Sequence, residues 1–303
     1  MRAHTITLSK SCQYFGAEIS CTEEIIGAGV EDQAEQRPDA AHDAVAKCQT
    51  QEEGQGLAIE AQRDTVFRQR IEVAHKPGRG AFDPVTEADK GGERAIRAII
   101  ERERPDDGIL GEEYGEKPGS NSLRWVLDPV DGTRAFITGR HEWGSLIALE
   151  ENEVPVLGML DQPVLGERFL GVNGRSVLIE GDKRTPLHVR ECDEMGKAIL
   201  CATDPTAYFS PDQQAAFQRV KAQARMTRYC GDCYLFAALA MGFVDLVIEA
   251  NFSRWDVAAL IPLVEGAGGI ITAWDGGDCR DGKTILACGD RRVHEEAIKL
   301  LKS

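Results

Sequence analysis

The sequence predicts an α+β fold in which sheets are sandwiched between layers of helix. Two observations carry that reading. The hydrophobic period is helical from Leu57 to about Arg104 and then switches to short apolar runs of strand type. Beyond that point strands and helices are mixed in both halves of the chain, which suggests sheets covered by helices. With 303 residues the chain is long enough for one large domain or two packed halves.

Residues 1–56 read as a segment apart. Between Glu31 and Asp64 nine acidic residues face three basic ones, and no sustained period appears. We expect a mobile segment, with a short helix over Asp39–Cys48 at most. The folded domain is expected over 57–303. Leu57–Ile71 is rich in helix formers and places Ile59, Val66, Phe67 and Ile71 on one side. Pro77, Gly78 and Gly80 mark a loop. Thr86-Glu-Ala-Asp89 opens a second helix, with Ala95, Ile96, Ile99 and Ile100 as its buried stripe, and Pro105 and Gly108 end it.

Ile109–Gly111 and Trp125–Leu127 are short buried strands that each run directly into acids. Gly144–Leu149, Val154–Leu160 and Arg168–Val172 form a meander with turn residues between them. Cys233–Met241 reads as a helix, Val244–Glu249 as a strand and Val257–Glu265 as a helix. Ile270–Thr272 and Thr284–Ala287 are further strands, and Val293–Leu301 is a closing helix. No internal repeat is apparent.

Charge and composition exclude several functions. A net charge of −15 argues against binding nucleic acid, which relies on basic clusters. No apolar run is long enough to span a bilayer. Met1–Lys10 lacks the apolar core of a signal peptide, so a cytoplasmic enzyme is the expectation. Nine scattered cysteines read as reduced thiols. Cys230-Gly-Asp-Cys233 matches C-x-x-C, but it lacks the second ligand pair of a zinc site and the early βαβ context of a redox motif. An acidic protein that handles phosphate needs something cationic in between, and a divalent ion held by carboxylates supplies it.

The acids fall where such an ion would need them. Asp128-Pro-Val-Asp131-Gly-Thr133 follows a strand, and Asp and Gly are poor strand residues, so a turn at the strand end is expected. Two carboxylates on such a turn can converge, Gly132 lets backbone approach an anion, and a helix starting near Thr133 would suit a phosphate. Glu112-Glu113 also follows a strand. Asp256 starts one helix and Asp89 lies in the first turn of another. Singly, Asp89 and Asp256 read as caps and Glu112 as a solvated loop acid. Together they are the several distant acids that two-metal phosphoryl chemistry needs.

Asp83-Pro-Val-Thr-Glu-Ala-Asp89, Gly111-Glu-Glu113, Trp125-Val-Leu-Asp-Pro-Val-Asp-Gly-Thr133 and Trp255-Asp256 resemble, in order, the signatures of the inositol monophosphatase superfamily. The resemblance implies an αβαβα sandwich, a homodimer, two or three Mg²⁺ ions that Mn²⁺ can replace, and sensitivity to Li⁺. It implies that Glu112, Asp128 and the Val130 carbonyl bind one ion. Asp128, Asp131 and Asp256 would bind a second, and Glu112 with Asp89 would reach a third. Thr133 and Glu112 would orient the attacking water, and the Gly132 and Thr133 amides would hold the phosphate of a small monoester.

Thr133-Arg-Ala-Phe-Ile-Thr-Gly139 with Trp143-Gly144, Gly158-Met-Leu-Asp-Gln-Pro163, Gly166-Glu-Arg-Phe169 and Gly231-Asp-Cys-Tyr234 resemble the histidinol-phosphate phosphatase branch. That resemblance implies histidinol phosphate as substrate, placing the chain in histidine biosynthesis, with Asp232 and Glu249 facing the alcohol. Asn251 and Arg254 lie between Glu249 and Asp256 and are candidates for the same pocket; Trp143 is a candidate cover or a buried aromatic. Gly139-Arg-His-Glu-Trp143 carries charges where the branch has a shorter apolar or proline-bearing turn. Alternatives are an inositol-1-phosphate phosphatase, a broad sugar or nucleotide phosphatase, and an inactive regulatory homologue.

Overall fold

The computed structural model describes residues 72–76 and 84–303. The expected acidic segment 1–56, the helix Leu57–Ile71, the loop at Pro77–Gly80 and Asp83 lie outside these residues. The described chain opens with β1 (Ala74–His75) and β2 (Pro84–Val85), followed by helix α1 (Glu87–Glu103). Thr86 caps α1: its hydroxyl accepts from the Ala88 N–H at 3.1 Å, and Asp89 Oδ2 accepts from the Thr86 N–H at 2.7 Å. Ile96 and Ile100 are buried as expected, while Ala95 and Ile99 are only half-buried.

Next come β3 (Gly108–Gly111), β4 (Gly115–Lys117), β5 (Leu123–Asp131) and the short helix α2 (Thr133–Ile137). The meander then runs through β6 (Gly144–Glu151), β7 (Val154–Gln162), β8 (Glu167–Val172), β9 (Arg175–Glu180) and β10 (Lys183–Pro186). These strands make an eight-stranded sheet in the order β10-β9-β8-β7-β6-β5-β3-β4, antiparallel except for the parallel β3–β5 pair.

The second half holds β11 (Ile199–Ala202), α3 (Pro205–Tyr208), α4 (Pro211–Lys221), β12 (Met226–Tyr229), α5 (Tyr234–Ala240) and β13 (Leu246–Phe252). It closes with α6 (Arg254–Val257), α7 (Leu260–Gly266), β14 (Ile270–Thr272), β15 (Lys283–Cys288) and α8 (Arg291–Lys302). Its strands form a five-stranded sheet in the order β12-β11-β13-β15-β14.

Strand alternation explains the layering. Trp125 and Leu127 of β5 pack with Ile96 and Ile100 of α1, whereas Val126 between them joins a central cluster with α5, α7 and the smaller sheet. In β13, Val247 faces that central cluster while Leu246 and Ile248 pack with Phe217 of α4 and Val293 of α8. The order is therefore helix, sheet, helices, sheet, helices: the αβαβα sandwich.

The structure departs from the sequence reading at Asp128–Asp131. Instead of ending in a turn, β5 continues to Asp131 beside β6, with a register shift between Asp128 and Asp131. One extra residue is accommodated as a bulge. The helix read as Val257–Glu265 is two, α6 and α7, and β9 to β12 with α3 and α4 had no counterpart in the sequence reading.

Candidate active site

The strand ends open onto a cavity of about 450 Å³. Because β3 and β5 are parallel, with Gly111 opposite Leu127, the residues that follow each of them emerge at the same edge. Glu112, from the first, and Asp128 and Asp131, from the second, line the cavity together with Asp256 from α6. Asp256 also caps its own helix, accepting from the Ser253 N–H at 2.6 Å. The cap and the site acid are thus one residue.

Ligand oxygens of Asp128, Asp131 and Asp256 lie within 4.8 Å of one another. Burial first, and then the neighbouring carboxylates, push Asp128 and Asp131 well above the usual carboxylate range. The charges weighing most on Asp128 are Glu112, Asp131, Asp256 and Asp89, all acids. Oxygen donors that crowd and repel one another suit a hard divalent cation, which would bring them back to the ionised form. Val130 lines the same wall, and its carbonyl, which accepts from the Thr133 hydroxyl, is an oxygen of the type such a cation takes.

Glu112 is pushed up to about 7, by burial first, with Asp256 adding to the shift and Lys76 opposing it. Lys76 Nζ lies 2.7 Å from Glu112 Oε1 and 2.5 Å from Glu113 Oε1. Burial works against the lysine charge, but Glu112 and Glu113 outweigh it and hold its pKa above the ordinary value.

Gly132 precedes α2 at φ +82°, in the left-handed region that glycine occupies without strain. The Thr133 hydroxyl that follows lies 3.1 Å from both Asp89 Oδ1 and the Val130 carbonyl. Asp89 is fully buried and absent from the cavity wall. Its other oxygen accepts from the Thr86 N–H at 2.7 Å and the Thr86 hydroxyl at 2.6 Å.

The remaining wall comes from the second half. Glu249 is buried and pushed up to about 8, mainly by burial. Its Oε1 accepts from the Thr203 N–H at 2.6 Å and the Thr203 hydroxyl at 2.8 Å. Asp232 is pushed up to about 7, by burial and then by Glu142, with Arg140 and Arg134 pulling the other way. Asn251 sits at φ +64° and its amide donates to the Tyr208 carbonyl. The Arg134 guanidinium lies over the Tyr208 ring, 4.6 Å from its centre, and both residues line the cavity.

Against known proteins, residues 43–303 match the inositol monophosphatase family. The chain belongs to that family. It is 39% identical over 247 residues to the bifunctional phosphatase IMPL2, chloroplastic, of Arabidopsis thaliana, covering 78% of this chain and 69% of that one. It is 34% identical over 254 residues to a histidinol-phosphatase of Mycobacterium tuberculosis, covering 82% and 96%. A solved structure of an inositol monophosphatase from Zymomonas mobilis superposes with a TM-score of 0.74 at 36% identity, covering 87% of this chain and 99% of that one.

As an inositol monophosphatase family member, the protein is a metal-dependent phosphatase acting on small phosphate substrates. Most sequence-derived site residues meet in its cavity: Glu112, Asp128, Val130, Asp131, Gly132, Thr133, Asp232, Glu249, Asn251 and Asp256. Asp89 stands one step behind, holding Thr133.

Arg254 is corrected. It is absent from the cavity wall, and its guanidinium binds Glu150 Oε1 at 2.8 Å, Asp281 Oδ1 at 2.8 Å and the Glu153 carbonyl at 2.7 Å. Glu150 is fully buried and needs the countercharge.

Trp143 is buried against Phe136 rather than covering the site. The Cys230–Cys233 tetrad has free thiols, and the Cys233 N–H donates to Asp131 Oδ2 at 2.8 Å, steadying a cluster acid. Lys76, Arg134, Thr203 and Tyr208 were missed. A lone Lys and an Arg after Thr133 carry no chemical pattern of their own, although the hydroxyl and ring of Thr203 and Tyr208 flank the Asp204 cap, a visible helix signal.

Proposed function

We propose that this phosphatase hydrolyses histidinol phosphate to histidinol and inorganic phosphate, with Mg²⁺ as cofactor. The observation that carries the substrate is the pairing of Asp232 and Glu249 on the wall of the cavity that holds the acidic cluster. Histidinol carries an ammonium and an imidazole, and a cation there would draw both carboxylates into their charged form. The relative named histidinol-phosphatase, 34% identical over nearly its full length, supports the same reading.

Asp128, Asp131, Asp256, Glu112 and the Val130 carbonyl would hold the metal ions, which neutralise phosphoryl charge and make water acidic enough to attack at neutral pH. The Gly132 and Thr133 amides bind the phosphate oxygens. Thr133, oriented by Asp89, and Glu112 would align the water in line with the leaving oxygen; Glu112 takes the proton that the water loses, and the leaving oxygen is protonated by solvent as the alcohol departs. Arg134 and Tyr208 bound the space left for the alcohol. Mn²⁺ substitutes, Li⁺ inhibits, and the working assembly is a cytoplasmic homodimer.

A second reading, an inositol-1-phosphate phosphatase, is favoured by the 36% identity to the Zymomonas enzyme. Steady-state assays on histidinol phosphate, inositol-1-phosphate, fructose-1,6-bisphosphate and 3′-phosphoadenosine 5′-phosphate decide between them. Histidinol phosphate is expected to give the highest kcat/KM; a higher value for any other ester overturns the choice. Absence of phosphate release with Mg²⁺ and Mn²⁺ alike would make the protein an inactive regulatory homologue.

A further inference from the structure

The face of α1 that carries Asp89 continues with Glu93 and Arg97. Residues four apart on a helix share a face. Glu93 is fully buried yet lines no part of the cavity. Its carboxylate accepts from the Glu113 N–H at 2.7 Å and the Tyr114 N–H at 3.2 Å, and it pairs with Arg97 Nε at 2.7 Å. Arg97 also donates to the Gly115 carbonyl, so the ion pair grips both limbs of the turn.

On the other side the Glu112 N–H donates to the Leu127 carbonyl at 3.2 Å. Three successive amides after β3 are therefore each held, which leaves the turn little backbone freedom. Gly111 fits the same arrangement: a Cβ there would stand 1.9 Å from Glu93 Oε1, so the strand end lies directly on the carboxylate.

We propose that Glu93, with Arg97 as its counter-ion, is a positioning residue that sets Glu112 against Asp128 and Thr133. Helix α1 then aligns both groups that act on the attacking water, Thr133 through Asp89 and Glu112 through the clamped turn. The proposal rests on the reading of Glu112 as a cation ligand and water-orienting group.

The test is Glu93→Gln in the full chain, followed by Mg²⁺ titration calorimetry, steady-state kinetics and thermal unfolding. Loss of an outer partner of a ligand typically costs 10- to 100-fold. The expected result is a fall in kcat of about tenfold with KM changed less than about twofold, and a similar weakening of one class of Mg²⁺ sites. A lowered melting temperature with an unchanged Mg²⁺ isotherm and unchanged kcat overturns the proposal, since that is a purely structural role. Where Glu93→Gln yields no folded protein, Arg97→Lys keeps the charge and loosens the grip on Gly115; it is expected to shift the same isotherm, and an unshifted one overturns the proposal.

The double variant with Glu112→Gln adds the decisive comparison. Action through Glu112 predicts that Glu93→Gln causes no further loss in that background, and full additivity overturns it. Wild-type kinetics and Mg²⁺ binding in Glu112→Gln alone would remove the underlying reading of Glu112, and the proposal with it.

Discussion

The two ends of the β5–β6 strand pair treat buried acid in opposite ways. At one end Glu150 is fully buried but saturated, with Arg124 at 2.8 Å on Oε2 and Arg254 at 2.8 Å on Oε1. At the other end Asp128 and Asp131 meet Asp256, and the charges that bear hardest on Asp128 are further acids. A carboxylate that serves the fold arrives with its counter-ions built in. A carboxylate cluster that serves chemistry leaves its charge to be balanced from outside.

Asp128→Asn breaks the comparison at its strongest point. We expect turnover to fall by about a thousandfold or more, since the residue belongs to the carboxylate cluster proposed to hold the ions. Metal-free protein should at the same time melt higher, because one repelling carboxylate has gone. Phosphate release and an unfolding scan in chelator measure the two effects, and near-normal activity would sink the cation-site reading.

Glu150→Gln should do the reverse. Removing the acid takes from Arg124 and Arg254 the one fully buried partner they share and leaves them only exposed acids such as Asp281, so a loss of about 3 kcal/mol in stability is expected. KM for the phosphate ester should stay put. A shifted KM with unchanged stability would return Arg254 to the site.

Glu249 lies between these cases, buried among protein donors without a cationic partner among its leading influences. Its folded pKa of about 8 lies above its ordinary value of 4.5. The unfolded chain therefore releases this proton first as pH rises, and this contribution to stability, complete below the lower value, is lost on approaching the upper one. Glu249→Gln should abolish that loss, raising stability at pH 8 and scarcely at all at pH 4. Denaturant melts at the two pH values test it; an equal change at both would be inconsistent.

The smallest effect is expected at Asp232. Asp232→Ala should cost about tenfold in kcat/KM, or 1.4 kcal/mol, for histidinol phosphate, with p-nitrophenyl phosphate turnover largely retained. Equal losses on the two esters would give Asp232 a structural role.

How far the sequence could be read follows the same contrast. The cluster acids were legible because each follows an apolar run or opens a helix, and that context is local. Arg254 was misread because it stands two residues before Asp256, while its partner Glu150 is 104 residues away. Arg134 and Tyr208 meet only through folding, so neither could be assigned to the wall from its neighbours. The strand Met226–Tyr229 was missed because Thr227 and Arg228 replace the apolar run by which the other short strands were read. Asp89 illustrates a different limit: cap and site residue were weighed as alternatives, yet its two oxygens serve both ends at once.

The bulge in β5 has a consequence for the spacing of the two aspartates. In a regular strand, residues three apart point to opposite faces. Here Asp128 pairs with Leu146 and Asp131 with Gly144, three steps on one strand against two on the other. An odd interval is thereby made to behave as an even one, and both side chains present to the same side. Deleting either Pro129 or Val130 would make the separation two and inserting a residue would make it four, both even, so either change keeps the parity only if the ladder becomes regular and the bulge is lost with it. The bulge and the odd count of residues between the two acids therefore belong together, and the pair acts as the register mark of the edge that carries the acidic cluster.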